Sequence, residues 1–441
     1  MSAYDLIVRG DEADIGVADG RIAAVGPQLE GDGREEIDAH GLLVLPGVVD
    51  AHVHLNDPGR ADWEGFDTGT RALAAGGTTT AIDMPLNASP PTVDAAAFDA
   101  KVAAAAGRLQ TDVALWGGLV AGNVEALEEL AGRGVVGFKA FLSDSGIGDF
   151  PAVDDDTLRA GMARAAALGR PVAVHAEDDA LTARLAAQAV AEGRLAMRDY
   201  RASRPVQAER NAIGAAIAAA EATGCALHVV HVSSGAGVAL VAEARARGVD
   251  VTCETCPHYL VLDEDDADAL GALAKCAPPI RPAAEVEALW ARLLAGDVDL
   301  VATDHSPAPA AMKASEDAFA VWGGISGAQT LLALLLDAGP RRGLPLARLA
   351  TLLCAAPAER FGLAPAKGAL AVGADADLVL VDPAADWVLE RAALLDRHRL
   401  SPYVGRRLRG RVVRTVLRGE TIAVEGRLAG PPRGRIVLRS R

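Results

Sequence analysis

Four histidines and one aspartate lie at the carboxyl ends of short apolar runs, and together they could hold metal ions. His52 and His54 end the run VVDAHVHL, His175 lies in PVAVHAED, His231 in ALHVVHVSS and Asp304 in DLVATDHS. Imidazole nitrogens and carboxylate oxygens are ligands of zinc and similar divalent ions. One such histidine alone is more often an ordinary polar residue, but their recurrence at several run ends favours a metal site.

Strand periodicity predicts which of these side chains face the same way. Alternation along a strand places Asp50, His52 and His54 on one face, with the two imidazoles about 7 Å apart. His228 and His231 are an odd number of residues apart, so they are predicted to face opposite sides. We therefore expect His231 to be a ligand and His228 to be a structural residue on the helix side.

Alternation also predicts the facing of side chains in the last run, 299–306, but the role of His258 is not decided by it. Asp304 and Ser306 share a face, so His305 is expected to point away from the site. His258 lies in the string CPHY, at the end of the run 251–260. It either contacts substrate or supports the site structurally.

Lys139 lies inside the apolar run GVVGFKAFL, where a lysine is unfavourable unless it is paired or modified. It either forms a salt bridge with a neighbouring carboxylate or reacts with CO₂ to form a carbamate. The carbamate is an anionic oxygen ligand that can bridge two metal ions. Since arginine greatly outnumbers lysine among the 43 basic residues, lysine is expected where a guanidinium could not serve.

The elements that must position these residues are short apolar runs separated by alanine-rich, helix-compatible segments. Strands of this kind, alternating with helices, indicate a parallel sheet covered on both faces. Eight units predict an α/β fold of the (β/α)₈ TIM-barrel type, whose active sites lie at the C-terminal strand ends. A doubly wound open sheet is the alternative, but it explains the polar strand ends less well. The runs are 48–55, 78–87, 113–120, 135–142, 171–178, 226–234, 251–260 and 299–306.

The two chain ends are rich in strand and turn residues and poor in helix formers. Neither end could easily build a core alone, so we predict one small β-sandwich domain formed from both chain termini. In this division residues 1–47 and 368–441 form the sandwich, and residues 48–367 form the barrel that carries the metal site.

Charge and composition exclude several classes of partner. The net charge of −16 repels phosphate backbones and anionic lipid surfaces, so we expect small molecules as partners, with no nucleic acid and no membrane. The N-terminal MSAYDLIVRG has no signal pattern, and no stretch reaches about 18 uninterrupted apolar residues, which predicts a cytoplasmic protein. The five cysteines are an odd number in a long chain and are expected to be reduced thiols.

Longer motifs extend over nearly the whole chain. They are PGVVDAHVHLNDPGRADWEGFDTGTRALAAGGTTTAIDMPLN, VVGFKAF, VHAED, HVVHVSS, TCETCPHYLVL, LAKCAPPIR, ATDHSPAPAAMKA, WGGISGAQ and LSPYVGR. In these strings the chain resembles the cyclic amidohydrolases of the amidohydrolase superfamily, and among them most closely the allantoinases.

A few positions separate the chain from related families. Dihydroorotases usually have arginine where this chain has Asn56 and a second histidine where it has Ala308. Hydantoinases and dihydropyrimidinases usually read CPQY in place of CPHY and have a tyrosine near the bridging lysine. Allantoinases often have cysteine at the place of Ala140 and glutamate at that of Asp57, and these departures leave the metal ligands intact.

The resemblance implies hydrolysis of the ring amide of allantoin to allantoate by a hydroxide shared between two divalent metal ions. Zinc is expected, with cobalt or manganese as alternatives. Asp304 is also expected to act as the catalytic general base, which takes a proton and returns it to the leaving nitrogen. By resemblance, one ion is held by His52, His54 and Asp304, the other by His175 and His231, and the carbamylated Lys139 bridges them.

Substrate contacts are expected at Asn56, at His258 and at the loop backbone of Ala277 and Gly323. The resemblance also implies a homotetramer. The alternatives are a hydantoinase, dihydropyrimidinase or dihydroorotase-like activity on a cyclic amide. A non-catalytic scaffold is disfavoured because the ligand set is complete.

Overall fold

The computed structural model describes residues 3–439 of the 441-residue chain. The N-terminal region contains β1 (Tyr4–Arg9), β2 (Asp14–Ala18), β3 (Arg21–Gly26), β4 (Gly33–Asp38) and β5 (Leu43–Pro46). The first four of these strands form a sheet in the order β3-β2-β1-β4, in which β1 and β4 are parallel.

The central region forms the strands of a parallel barrel. They are β6 (Val48–Val53), β7 (Thr78–Asp83), β8 (Asp112–Leu115), β9 (Gly117–Gly118), β10 (Phe138–Phe141), β11 (Val172–His175), β12 (Leu227–Val229), β13 (Val251–Thr255) and β14 (Leu300–Val301).

Helices follow these strands and cover the outside of the barrel. They are α1 (Phe66–Ala75), α2 (Ala95–Ala105), α3 (Leu127–Gly132), α4 (Asp155–Ala167), α5 (Asp179–Ala191), α6 (Met197–Ala202), α7 (Val206–Thr223), α8 (Gly235–Ala246), α9 (Pro257–Val261), α10 (Glu264–Leu270), α11 (Ala283–Ala295), α12 (Leu331–Arg341), α13 (Leu346–Ala350) and α14 (Ala356–Arg360). Short polar residues begin several of them: the side chains of Asp94, Asp154, Asp178 and Ser234 accept hydrogen bonds from backbone N–H groups of the first turn.

The ring of strands is closed. β6, β7 and β8 pair in parallel. β9 through β14 also pair in parallel, in sequence order. β8 and β9 are separated only by Trp116 and form one broken strand, so the ring has eight positions. Beyond β14, His305 pairs in parallel with Val53 of β6. Because the last strand meets the first, the prediction of a (β/α)₈ barrel is confirmed and the open doubly wound sheet is excluded.

The barrel interior is filled by side chains. Val49, Ile82, Trp116, Val136 and Ala173 are buried in one cluster there. The indole of Trp116 donates a hydrogen bond to the Ala51 carbonyl. The barrel is therefore a packed support whose chemistry must lie at one of its ends.

The C-terminal region adds the second sheet of the sandwich. β15 (Leu378–Val388), β16 (Arg407–Leu417), β17 (Glu420–Val424) and β18 (Arg427–Leu428) pair in the order β18-β17-β16-β15-β5. Leu6 and Val17 of the first sheet share a buried cluster with Leu378 and Val416 of the second. The predicted sandwich of both termini is therefore confirmed, while the domain limits at 47 and 367 stay a prediction.

The end of the described chain returns to the barrel. In the segment 434–439, Ile436 pairs in parallel with Val113 of β8.

Within residues 3–439, none of the helices combines the length and apolarity needed to cross a bilayer.

Candidate metal centre

The predicted ligands meet at the C-terminal ends of the barrel strands. Ligand atoms of His52, His54 and Asp304 all lie within 4.8 Å of one another. The Nε2 atoms of the two histidines lie 3.2 and 3.3 Å from Asp304 Oδ1. His175 Nδ1 lies 3.1 Å from His231 Nε2, and the His52 and His231 ring centroids are 5.5 Å apart. A group of two imidazoles with a carboxylate therefore lies beside a pair of imidazoles.

These groups line a small cavity of about 80 Å³. Beside the four histidines and Asp304, its wall includes Asn87, Phe141, Ala277, Ser306 and Gly323. Lys139 lies on β10 and pairs in register with Ala173 of β11, two residues before His175. All of these strand ends belong to the same mouth of the barrel.

Lys139 is fully buried, and its Nζ has no hydrogen-bond partner among residues 3–439. Burial lowers the pKa of its ammonium to about 7, against the attraction of Glu254 and Asp304. The centroid of the Phe141 ring lies 5.1 Å from Nζ. Among residues 3–439 no carboxylate lies within 4.0 Å of Nζ, so the predicted alternative of a salt bridge is wrong.

The other lysines differ in this respect. Lys101 binds Asp83, Lys367 binds three aspartates, Lys275 donates to the Val321 carbonyl and Lys313 donates to three backbone carbonyls. An amine near neutrality inside the site fits a carbamate, because only the neutral amine can react with CO₂. The donor set of imidazoles, carboxylate and this lysine thus fits a pair of divalent ions.

Buried carboxylates behind the histidines orient the rings. Glu254 on β13 lies 2.5 Å from His52 Nδ1 and 3.1 Å from His228 Nε2. Burial by itself would raise the pKa of Glu254, but the two histidines hold it at about 2. The ionised carboxylate leaves the Nε2 atom of His52 facing the centre, as outer partners of metal-binding histidines commonly do.

Glu177 orients the other half of the site. Its Oε2 lies 2.9 Å from His175 Nε2 and also contacts Arg204. Burial opposes ionisation of Glu177, but Arg204 and His175 lower its pKa to about 2. His175 consequently presents Nδ1 to the centre, whereas His54 presents Nε2, because the Asn87 amide nitrogen lies 3.3 Å from His54 Nδ1.

The expectation that His228 faces the helices is wrong. Its ring lies in the barrel interior, 5.2 Å from the ring of Phe361 and bonded to Glu254. β12 ends at Val229, and His231 has a φ of +39°. Strict alternation therefore does not extend from 228 to 231, and both side chains reach the interior.

The expectation that Asp50 shares the face of His52 and His54 is also wrong. The pairing of β6 with β7 shifts register between Asp50 and Val53. Asp50 accepts hydrogen bonds from the amide and hydroxyl of Thr303 and does not line the cavity. His305 lies outside the lining as expected, with Nε2 3.3 Å from Glu64.

The predicted substrate contacts divide into two pairs. Ala277 and Gly323 line the cavity. Asn56 and His258 are each 1 % exposed, do not line it, and have side-chain polar atoms without a partner among the described residues. Burial lowers the pKa of His258 to about 4, so its ring is neutral. Substrate contact at these four residues stays a prediction.

Sequence reasoning missed three residues of the site: Glu177, Glu254 and Asn87. Glu177 could have been found, because it follows His175 by two positions. Glu254 and Asn87 belong to the strings TCETCPHYLVL and MPLN, but their partners lie on other strands. Only the folded barrel brings those partners together.

Comparison with known proteins agrees with this architecture. The model of the amidohydrolase family matches residues 43–422. The chain is 61 % identical to an allantoinase of Rubrobacter xylanophilus, with 99 % of this chain and 98 % of the relative covered. It is 49 % identical to an allantoinase of Deinococcus radiodurans, with 99 % of each covered.

A solved structure is similar over the same extent. The L-hydantoinase (dihydropyrimidinase) from Arthrobacter aurescens superposes with a TM-score of 0.96 at 37 % sequence identity, covering 99 % of this chain and 100 % of that one. Family match, sequence identity and superposition all extend over the barrel and the metal-ligand motifs. The chain therefore belongs to the amidohydrolase family.

Proposed function

We propose that this protein is an allantoinase, which hydrolyses the ring amide of allantoin to allantoate. The observation that carries the proposal is the convergence of four histidines and Asp304 at one barrel mouth. Beside them lies the buried Lys139, whose Nζ has no hydrogen-bond partner among residues 3–439. This set occurs in a chain 45–61 % identical to relatives named allantoinase. The protein is thus a hydrolase of cyclic amides.

We propose that the site holds two divalent ions, with zinc the first expectation and cobalt or manganese the alternatives. His52, His54 and Asp304 would hold one ion, and His175 and His231 the other. Lys139 would bridge them as a carbamate, which removes the need to bury an unpaired ammonium. When bound, the ions would lower the pKa of water toward about 7 and polarise the ring carbonyl.

The chain's own residues supply proton transfer and positioning. Burial opposes ionisation of Asp304, but His52 and His54 lower the pKa of its carboxyl far below the usual range. The carboxylate is therefore ionised and has an oxygen that can take the proton of the attacking water, and its low proton affinity favours passing that proton on to the ring nitrogen that leaves. Glu254 and Glu177 keep the imidazoles in fixed orientations during this transfer.

Substrate recognition would combine main chain and buried side chains. The backbone of Ala277 and Gly323 borders the cavity and offers peptide groups to a planar ring. Asn56 and His258 have buried polar atoms that find no partner within residues 3–439 and could bind substrate or hold the neighbouring loops. We keep both as candidate substrate contacts.

Turnover assays with allantoin, dihydroorotate and hydantoin, combined with metal quantitation, test the proposal. We expect the highest kcat/KM with allantoin and close to two metal ions per chain after purification with zinc and bicarbonate. Faster hydrolysis of either rival ring would overturn the substrate assignment. Less than about one ion per chain, with no turnover, would favour a scaffold without catalysis.

Hydantoin hydrolysis is the second candidate activity, since the L-hydantoinase structure superposes over nearly the entire chain. A homotetramer and a cytoplasmic location also remain proposals. Light scattering of the purified protein would test the first, because a tetramer has four times the chain mass of 45.2 kDa.

A further inference from the structure

A second cavity adjoins the metal pocket. It measures about 480 Å³ and lies between the loop after β10, helices α5 and α6, and the loop that precedes α12. The two cavities share the lining residues Asp144, Ser145, Ala277, Trp322 and Gly323. A ring held at the metal pocket could therefore extend a substituent into the second cavity without leaving the protein.

Lys275 lies at the boundary between the two cavities. It is 6 % exposed, and a Cβ placed on Gly323 would lie 4.0 Å from its Cε. Its Nζ donates to the Val321 carbonyl and lies 4.5 Å from the centroid of the Tyr200 ring. An ammonium carries three N–H donors, and no second acceptor for Nζ lies among residues 3–439. Two donors are thus left for a ligand.

The other cations near this boundary are already engaged. Arg204, also in the cavity wall, pairs with Glu177. Lys313 donates to the carbonyls of Ala272, Trp322 and Gly324. Among residues 3–439, Lys275 is thus the one of these three cations that has neither a carboxylate partner nor a full set of acceptors. The exposed Asp144 on the shared wall offers an acceptor.

Allantoin is a hydantoin ring that carries a ureido group on its saturated carbon. The ureido group presents a carbonyl oxygen that accepts hydrogen bonds and N–H groups that donate them. Lys275 and Asp144 match these two functions. An alkyl group would find apolar contacts in the cavity, because Met312 and Phe319 also line it. It would, however, leave the Lys275 donors desolvated and unpaired.

We propose that the second cavity is the subsite for the ureido group and that Lys275 determines the preference for it over an alkyl substituent. The inference rests on the proposed function, since it assigns a binding site to the ureido group, the part of allantoin that does not react. Sites built to hydrogen-bond a polar substituent discriminate strongly against analogues that lack it.

The test compares allantoin with 5-methylhydantoin, which has the same ring and a methyl group in place of the ureido group. We expect Lys275→Met to lower kcat/KM for allantoin about 10- to 100-fold, the loss of a hydrogen bond to a charged donor. Most of this change should appear in KM. For 5-methylhydantoin we expect kcat/KM to stay within about threefold of the wild type or to rise. Lys275→Gln replaces the ammonium by an amide, which can still donate hydrogen bonds. Its kcat/KM for allantoin should lie between those of the wild type and Lys275→Met, and it serves as the test if the Met variant does not fold.

Lys313→Met is the matched control, because it disturbs the same loop without removing a group from the cavity wall. It should change kcat/KM for both substrates by a similar factor. An unchanged ratio of the two substrates in both Lys275 variants would overturn the subsite. A wild-type enzyme that prefers 5-methylhydantoin would instead contradict the proposed function itself, so the two failures are distinguishable.

Discussion

Lys139 differs from the other lysines in being fully buried with no hydrogen-bond partner among the described residues. Burial favours its neutral form, and the neutral amine is the nucleophile that forms a carbamate with CO₂. At the scale of one residue, the proposed chemistry of Lys139 thus follows from its having no carboxylate within bonding distance in the part of the chain that the structure describes.

Lys139→Ala should abolish allantoin hydrolysis because it removes the bridging ligand. Short carboxylic acids such as acetate or propionate should restore part of the activity by supplying the missing oxygens. Steady-state turnover with and without added acid measures this effect. Lys101→Met is the control: Lys101 binds Asp83, so its loss should lower stability without rescue by acids. Full activity of Lys139→Ala would refute the carbamate.

Glu254 is expected to act through His52 and not on substrate. Glu254→Gln removes the charge that holds the His52 ring, 2.5 Å from Nδ1, so metal affinity should fall about 10- to 100-fold. Equilibrium dialysis against zinc gives this affinity independently of turnover. Glu209→Gln is the control, because Glu209 is also buried but binds Ser233 and Ser234. Equal zinc affinity in both variants would show that Glu254 does not support metal binding.

At the scale of elements, the ends of strands decide what faces the site. β6 carries a register shift between Asp50 and Val53, and β12 stops two residues before His231. His231 and Asp304 both have positive φ, +39° and +46°. Such conformations are uncommon for side chains with a Cβ and concentrate at functional sites. The ligands therefore lie where regular alternation has ended.

We expect the segment 434–439, which pairs with β8, to stabilise the barrel. A Cβ on Gly434 would lie 2.0 Å from the Thr111 carbonyl oxygen, so Gly434→Ala should displace the segment and lower stability by about 1–3 kcal/mol. Thermal unfolding measures the change. Gly214→Ala is the control: no atom lies within 4 Å of its Cβ position, on an exposed part of α7, so stability should rise by about 0.4–1 kcal/mol. Equal stability of the two variants would contradict a stabilising contact between the segment 434–439 and the barrel.

At the scale of the molecule, a buried ion cluster joins the barrel to the sandwich. Lys367 Nζ lies 2.7 Å from Asp112 on β8, and 3.0 and 2.8 Å from Asp375 and Asp377, which precede β15. Arg418, in the turn between β16 and β17, also contacts Asp112. Buried cations paired with buried carboxylates therefore link the barrel to the sandwich.

Lys367→Met should destabilise the protein by about 3–5 kcal/mol, because it leaves buried carboxylates without their cation. The apparent Tm, followed by circular dichroism at one fixed heating rate, would report the loss. Arg342→Ala removes a partly exposed pair with Glu287 and should change stability by no more than about 1 kcal/mol. A Tm for Lys367→Met as high as that of the control would show that the cluster does not hold the domains together.

The sequence by itself determined the kind of fold and the kind of ligands. Apolar runs alternating with helices are a local pattern, and the barrel, the sandwich of both termini and the metal ligands were all predicted from such patterns and from the family resemblance. Local periodicity suffices there because each strand buries both faces and ends at the same mouth.

Only the tertiary structure decided the environment of those residues. His228 and Asp50 were placed on the wrong faces, since a strand end and a register shift interrupt alternation. Glu254 meets His52 across 202 positions of sequence separation. Whether a buried lysine has a partner is likewise a property of the closed ring, because the groups that surround it come from strands distant in the chain.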